Sequence, residues 1–265
     1  MIRPRKQLGQ HWLRSPRVLG EILGAADLSG GDRILEIGPG TGVLTKPLLA
    51  QAQEVVSVEL DPRAYGTLTK TLTQPNLHLI QGDILELDLD TLPRGCPDKV
   101  VANIPYNITG PILMKLLGTM DAPRRPPFER LILLVQREVA DRLTAQPSSR
   151  AFGALSLRVQ YLATCELICP VPATAFHPVP KVASAVIRLR PHATLPTVKD
   201  PRWLDHLIKQ GFSTRRKMLA TALKPILNPD LVRHCLESLG ISIKCRGEDL
   251  NLDQWIQLSD VLEPN

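Results

Sequence analysis

Arg33-Ile34-Leu35-Glu36-Ile37-Gly38-Pro39-Gly40-Thr41-Gly42 decides how the rest of the chain is read. The short apolar run reads as a buried strand, the glycines as a tight turn, and Val43, Leu44, Leu48 and Leu49 recur at helical spacing behind them. Strand, glycine-rich turn and helix in succession make the first unit of an open, mostly parallel α/β sheet with helices on both faces. The order is Glu-x-Gly-x-Gly-x-Gly. A dinucleotide fingerprint, Gly-x-Gly-x-x-Gly, would need a glycine where Val43 stands. The turn therefore brings backbone close to a ligand without being shaped for a pyrophosphate.

Working outward, Val55-Val56-Ser57-Val58-Glu59 is a second strand ending in a carboxylate 21 residues beyond Gly38, the expected place for an acid that takes two ribose hydroxyls. Asn76 to Ile80 is a third strand, with Gln81-Gly82-Asp83 at its end, and Asp83 can accept from an adenine amine. Any one such acid is more often a cap or a surface residue. A succession of them past consecutive strand ends, beside the turn at Gly38 and Gly40, fits the adenosyl and amino-acid parts of S-adenosylmethionine. A fourth strand, Lys99-Val100-Val101-Ala102, runs into Asn103-Ile104-Pro105-Tyr106-Asn107-Ile108, and Thr109-Gly110-Pro111 opens a helix. This loop lies at a strand's carboxyl end, where open α/β sheets bind ligands. The chemistry that fits Asn-x-Pro-Tyr is methyl transfer to a poorly nucleophilic amine such as the exocyclic nitrogen of adenine. Asn103 supplies a side-chain oxygen, Pro105 (or Ile104) a backbone carbonyl, and Tyr106 a flat face for an unstacked base. An ordinary Asn-Pro turn is the bland alternative.

Arg3, Arg5, Lys6, Arg14 and Arg17 make residues 1–17 basic with no acid among them, and Gly9-Gln10-His11-Trp12-Leu13 follows as a flap before a helix opened by Ser15-Pro16. Beyond the catalytic loop, residues 121–127 read as an exposed loop, Leu131 to Val135 as a fifth strand and residues 136–142 as the start of a charged helix. Residues 152–161 continue as a helix. Phe176-His177-Pro178-Val179-Pro180-Lys181 is a stiff loop feeding a final strand, Ser184 to Leu189. Phe176 could stack on a target base or simply pack. From Pro191 the pattern turns helical, so the chain divides into residues 1–190, a Rossmann-like domain, and 191–265, a small helical domain. Ser213-Thr214-Arg215-Arg216-Lys217 puts three adjacent positive charges on the latter, suited to phosphates.

The net charge of +6 over 265 residues is unevenly spread. Residues 34–120 carry 6 basic and 9 acidic side chains, whereas residues 151–190 carry 4 and 1. Positive flanks around an acidic pocket suit a polyanion lying across it. A 43% hydrophobic fraction provides a core, and neither a membrane-length apolar run nor a signal-peptide pattern is present, so a soluble cytoplasmic protein is expected. Five cysteines without a Cys-x-x-Cys pair read as thiols in a reducing compartment, with no metal site.

Taken together, Gly9 to Leu13, Glu36 to Gly42, Glu59, Gly82-Asp83, Asn103 to Ile108, residues 136–142, Phe176 to Ser184 and Phe212 to Met218 occur in an order that resembles the KsgA/RsmA family, the small-subunit ribosomal RNA adenine dimethyltransferases. The resemblance covers essentially the whole length. It implies a class I methyltransferase domain followed by a helical domain, S-adenosylmethionine as methyl donor, and a substrate of two adjacent adenosines in the 3′-terminal hairpin of 16S rRNA. The partner is then the small ribosomal subunit or its precursor, engaged by a monomer with Arg3, Arg5, Lys6 and Arg215 to Lys217 on RNA. It carries cofactor contacts to His11, Leu13, Gly38, Gly40, Glu59, Asp83 and Asn103, and base contacts to Asn103, Pro105, Tyr106 and Phe176. The mechanism it implies is direct in-line displacement, without a strong general base. One departure stands out: the family's Gly-Gln-Asn-Phe-Leu reads here with His11 and Trp12 in the middle. An Erm-type large-subunit rRNA methyltransferase and a non-catalytic RNA-binding assembly factor are the competing readings.

Overall fold

The computed structural model describes residues 4–5, 9–93, 95–125 and 128–263. In chain order the elements are β1 (Trp12–Leu13), α1 (Pro16–Ala26), β2 (Arg33–Ile37), α2 (Thr45–Gln51), β3 (Glu54–Glu59), α3 (Pro62–Thr71), β4 (Leu77–Gln81), β5 (Lys99–Asn103), α4 (Thr109–Leu117), β6 (Arg130–Gln136), α5 (Arg137–Leu143), α6 (Ala154–Leu162), β7 (Ala163–Val171), β8 (Phe176–His177), β9 (Ser184–Pro191), α7 (Pro201–Gly211), α8 (Leu219–Ala222), α9 (Pro229–Ser238) and α10 (Leu252–Val261). They fall into two compact units, residues 1–117, 126–140 and 165–191 in one, residues 118–125, 141–164 and 192–265 in the other. The expected division at 190/191 lies within one residue of the last boundary. The helical unit also takes residues 118–125 and 141–164 from the middle of the chain.

The first unit is built on a seven-stranded sheet in the order β4-β3-β2-β5-β6-β9-β7. β4, β3, β2, β5 and β6 run parallel to one another, and β9 is antiparallel to β6. Parallel strands covered on both faces need continuous apolar runs, as in Leu131 to Val135, where each residue is at most 1% exposed. Helix starts follow local chemistry: Ser15 accepts from the Val18 N–H with Pro16 in the first turn, and Asp61 accepts from the Arg63 N–H ahead of Pro62. Going from β2 outward the chain first builds β3 and β4 on one side, then β5 and β6 on the other. The carboxyl ends of β2 and β5 therefore border the topological switch point, where such sheets leave a crevice.

Two features depart from the sequence reading. β7 is an edge strand absent from that reading, because Pro170 and scattered polar residues break its alternation. β1 and β8 pair antiparallel, Trp12 with His177 and Leu13 with Phe176, tying the N-terminal flap to a segment more than 160 residues away. The second unit packs around Trp255, which is fully buried. Its indole stacks on Phe212 with ring centroids 6.0 Å apart and donates to the Gly247 carbonyl at 3.2 Å. A Cβ on Gly211 would lie 2.5 Å from the Trp255 ring, so only glycine fits there. Among the described residues no helix is long and apolar enough to cross a membrane.

Candidate active site

A cleft opens at the switch point. Gly38 and Gly40 reach it from the end of β2, Glu59 from β3, Gly82 and Asp83 from β4, and Asn103, Ile104, Pro105 and Tyr106 from β5. The N-terminal flap, Gly9 to Trp12, adds the remaining wall. The sequence-predicted residues His11, Gly38, Gly40, Glu59, Asp83, Asn103, Pro105 and Tyr106 are thus brought together. Among the described residues, apart from His11, the titratable groups on the lining are two carboxyls and a phenol, with no lysine or arginine. A pyrophosphate would be repelled here, and a cationic ligand favoured.

The cofactor half is preorganised by backbone donors. Glu59, 5% exposed, accepts the Gly40 N–H on Oε2 at 2.9 Å and the Asp61 N–H on Oε1 at 2.8 Å. A carboxylate has about four acceptor sites, so these donors leave capacity for the hydroxyls of a ribose. Burial raises the Glu59 pKa, the backbone N–H groups of Asp61, Gly40 and Leu60 oppose the rise, and the nearby Asp61 charge adds to it. Asp83 accepts the Leu85 N–H on Oδ1 at 2.9 Å, and Oδ2 makes no hydrogen bond among the described residues. Gly40 has φ +57°, and a Cβ on it would lie 3.1 Å from the Trp12 indole, so a side chain would fill the cradle. The Trp12 Nε1 is itself buried without a hydrogen-bond partner among the described residues. A glycine cradle, free acceptors for ribose and adenine, and an acidic lining fit S-adenosylmethionine.

Behind the cradle Glu36 is 1% exposed and accepts from Ser57 Oγ at 2.6 Å and Thr45 Oγ1 at 3.0 Å. Burial, chiefly, raises its pKa to about 7, with Glu59 adding to the rise and the two hydroxyls opposing it. The folded protein therefore binds a proton on Glu36 more tightly than the unfolded chain does. This stabilisation is complete at acid pH and is lost as pH rises from the ordinary glutamate value of 4.5 through about 7. Glu36→Gln keeps the shape without the charge, so its stability relative to the parent is expected to rise from pH 5 to pH 8 by up to about 3 kcal/mol. Urea unfolding at the two pH values measures it, and a difference independent of pH would contradict the buried charge.

In the target half the Asn103 Nδ2 donates to the His11 carbonyl at 3.0 Å. That bond fixes which way the amide faces and leaves Oδ1 as a free acceptor. The Pro105 carbonyl already accepts the Ile108 N–H at 3.3 Å, closing the turn. The carbonyl with no hydrogen bond among the described residues is that of Ile104, so of the two backbone acceptors expected here Ile104 is the available one. Tyr106 shares a 2.5 Å hydrogen bond with Ser184 Oγ and stacks on the His11 ring, centroids 5.6 Å apart and planes 21° from parallel. Burial raises the Tyr106 pKa, keeping the phenol protonated. His11 Nδ1 donates to the Pro178 carbonyl at 2.8 Å. Ser184 and Pro178 were given no role from sequence. Their only signal was a serine at the head of an apolar strand and a proline-stiffened loop before it.

Other expected site residues lie elsewhere. Phe176 is 2% exposed, packed in the core opposite Leu13, and is not on the cleft lining. A ring buried in this way offers no face to a base, and its packing reading is the one the structure supports. Leu13 is buried and borders a smaller adjoining cavity with Trp12, Glu36 and Gly38. In the helical unit Arg215 is committed internally: it pairs with Glu248 at 2.7 Å and donates to the carbonyls of Arg150 and Phe152. A phosphate would have to compete with Glu248 there. Arg216 and Lys217 are exposed and make no side-chain hydrogen bond or ion pair among the described residues. Arg5 is half exposed, 3.9 Å from Asp61, while Arg3 and Lys6 lie outside the described residues.

Comparison with known proteins agrees with this geometry. The family model for ribosomal RNA adenine dimethylase matches residues 1–263. The ribosomal RNA small subunit methyltransferase A of Thermosynechococcus vestitus is 59% identical over 99% of this chain and 98% of its own length. Its counterpart from Acaryochloris marina is 56% identical over 100% and 99%. Among solved structures, a dimethyladenosine transferase from Plasmodium falciparum superimposes with a TM-score of 0.79 at 27% identity, covering 94% of this chain and 96% of that one. The 23S rRNA methyltransferase ErmE gives 0.74 at 27% identity, covering 96% and 100%. With that match along nearly its full length and the cleft assembled as described, the chain belongs to the ribosomal RNA adenine dimethylase family.

Proposed function

We propose that the protein transfers methyl groups from S-adenosylmethionine to the exocyclic amines of two adjacent adenosines in the 3′-terminal hairpin of 16S rRNA, yielding dimethyladenosines in the small subunit or its precursor. The chain is a methyltransferase by family. The observation that carries the finer reading is the Asn103 amide, held by the His11 carbonyl so that a free oxygen faces a cleft whose other half fits the methyl donor.

Glu59 would hold the ribose of the donor, Asp83 its adenine amine, and the Gly38–Gly40 turn its amino-acid part. Bound there, the donor supplies an electrophilic methyl on a sulfonium. Asn103 Oδ1 and the Ile104 carbonyl accept the two hydrogens of the target amine and so favour a pyramidal nitrogen with its lone pair available. Tyr106, fixed by Ser184 and backed by His11, supports the base. Alignment by fixed acceptors is the main catalytic effect. No strong base is called for, since a methylated adenine ammonium loses its proton readily. The exposed Arg216 and Lys217 are suited to phosphates, and the reaction is placed in the cytoplasm because its substrate is the ribosomal subunit.

The test is transfer of labelled methyl groups to small subunits lacking adenine dimethylation, with the product mapped by nucleotide. Two neighbouring dimethylated adenosines in the 3′-terminal hairpin are expected. Modification of large-subunit RNA instead would favour an activity like that named for ErmE. The 59% and 56% identities to small-subunit enzymes speak against that second reading.

A further inference from the structure

The N-terminal flap crosses the cleft as a strap anchored on opposite walls. On the target wall it is held by the Asn103 bond to the His11 carbonyl, and Gly9 comes so close that a Cβ there would lie 3.1 Å from Asn107 Oδ1. On the cofactor wall Gln10 Nε2 donates to Asp61 Oδ2 at 3.1 Å, while Gln10 Oε1 accepts the Arg5 N–H at 2.8 Å. Asp61 is not on the cleft lining, yet its own N–H orients Glu59 and its side chain is fully buried. Its Oδ1 caps α3 by accepting the Arg63 N–H at 3.1 Å. The Arg63 guanidinium beside it holds the carboxyl down at about 2, so the acceptor facing Gln10 is ionised at any working pH.

We propose that Asp61 is a positioning residue that acts through Gln10, latching the strap over the cleft and thereby setting how tightly the methyl donor is held. A hydrogen bond to a carboxylate is about twice as strong as one between neutral groups. A two-residue strand such as β1 gives the strap little stability of its own, so release of one anchor lets it open locally. A ligand roofed by such a segment leaves when the segment opens. The proposal rests on reading the cleft as an S-adenosylmethionine site.

Asp61→Asn separates the latch from the helix cap. Asparagine keeps an oxygen for the Arg63 N–H, but its NH2 takes the place of Oδ2, which in the parent accepts from both Gln10 Nε2 at 3.1 Å and Arg63 Nη2 at 2.7 Å. The loss at Arg63 is common to the single and double variants, so their difference reports the Gln10 contact. Adding Gln10→Glu restores a donor–acceptor pair with the roles exchanged and still accepts the Arg5 N–H. Two readouts are taken on the full chain: amide exchange of residues 9–13 without ligand, and the Kd for S-adenosylmethionine by calorimetry. Asp61→Asn is expected to speed exchange in the strap and raise the Kd about tenfold, and the double variant to restore both to within about threefold of the parent. If Asp61→Asn does not fold, Gln10→Ala on the strap carries the same expectation. Unchanged exchange and Kd, or a double variant no better than Asp61→Asn, would reduce Asp61 to a helix cap and overturn the proposal. Faster strap exchange with no donor binding by the parent protein would instead overturn the cofactor reading.

Discussion

Replacing Asn103 by alanine is expected to lower the rate of methyl transfer on the order of 10²- to 10³-fold while leaving the protein folded. The free Oδ1 is an acceptor fixed before the reaction, and its value lies in needing no reorganisation as charge develops on the amine. The substitution also deletes the donor to the His11 carbonyl, loosening the strap at its target end. Cofactor affinity should therefore weaken as well, by a smaller factor than the rate. Asn103→Asp separates the two effects, because it keeps acceptors and loses the N–H that the His11 carbonyl needs. Single-turnover incorporation of labelled methyl at saturating donor gives the rate, and thermal unfolding gives the control. A rate within about threefold of the parent would mean that the amine is oriented by other groups, contrary to the role assigned to Asn103.

The cofactor half of this site was legible in the sequence because every part of it sits at the end of a strand that announces itself. Ile34 to Ile37, Val55 to Val58 and Val100 to Ala102 are largely apolar runs of the kind a covered parallel sheet needs, and the residues that follow them, Gly38, Glu59 and Asn103, line the crevice. The roof was not legible, because it depends on pairings across the whole chain. Trp12 meets His177, and His11 meets the Pro178 carbonyl, through contacts that no local periodicity encodes. Phe176 shows the same limit. A ring between turn residues looks available for stacking until the strand beside it turns out to be its partner Leu13. Arg215 was read by its charge alone, whereas Glu248, 33 positions later, decides what that charge does. The helical unit was found from its carboxyl-terminal part, whereas residues 141–164 joined it on tertiary grounds, through bonds such as Arg158 to Asp205 at 2.9 Å.

Glu59 leads to the second large effect, and there the sign with pH is the sharper test. Ribose hydroxyls donate to an ionised carboxylate, so the protonated form loses acceptors that the ligand uses. Two hydrogen bonds to a charged group make a Kd increase on the order of a hundredfold the expectation for Glu59→Ala. Burial holds the Glu59 pKa above that of an ordinary glutamate, with Asp61 adding to the rise and the Asp61 and Gly40 N–H groups limiting it. Donor affinity in the parent protein should consequently fall as pH drops, beginning above the range where a surface carboxylate titrates. In that interval binding draws Glu59 into its ionised form and releases a proton, which calorimetry in buffers of different ionisation enthalpy detects. Glu59→Gln, with no proton to lose, should bind weakly at every pH and release none from this position. Glu59→Ala also leaves the Gly40 and Asp61 N–H groups without their acceptor, which offsets the relief of a buried, desolvated acid, so thermal unfolding is run as the control. Affinity in the parent that does not fall as pH is lowered, with the same Kd in Glu59→Ala, would show that the ribose is held by something other than Glu59.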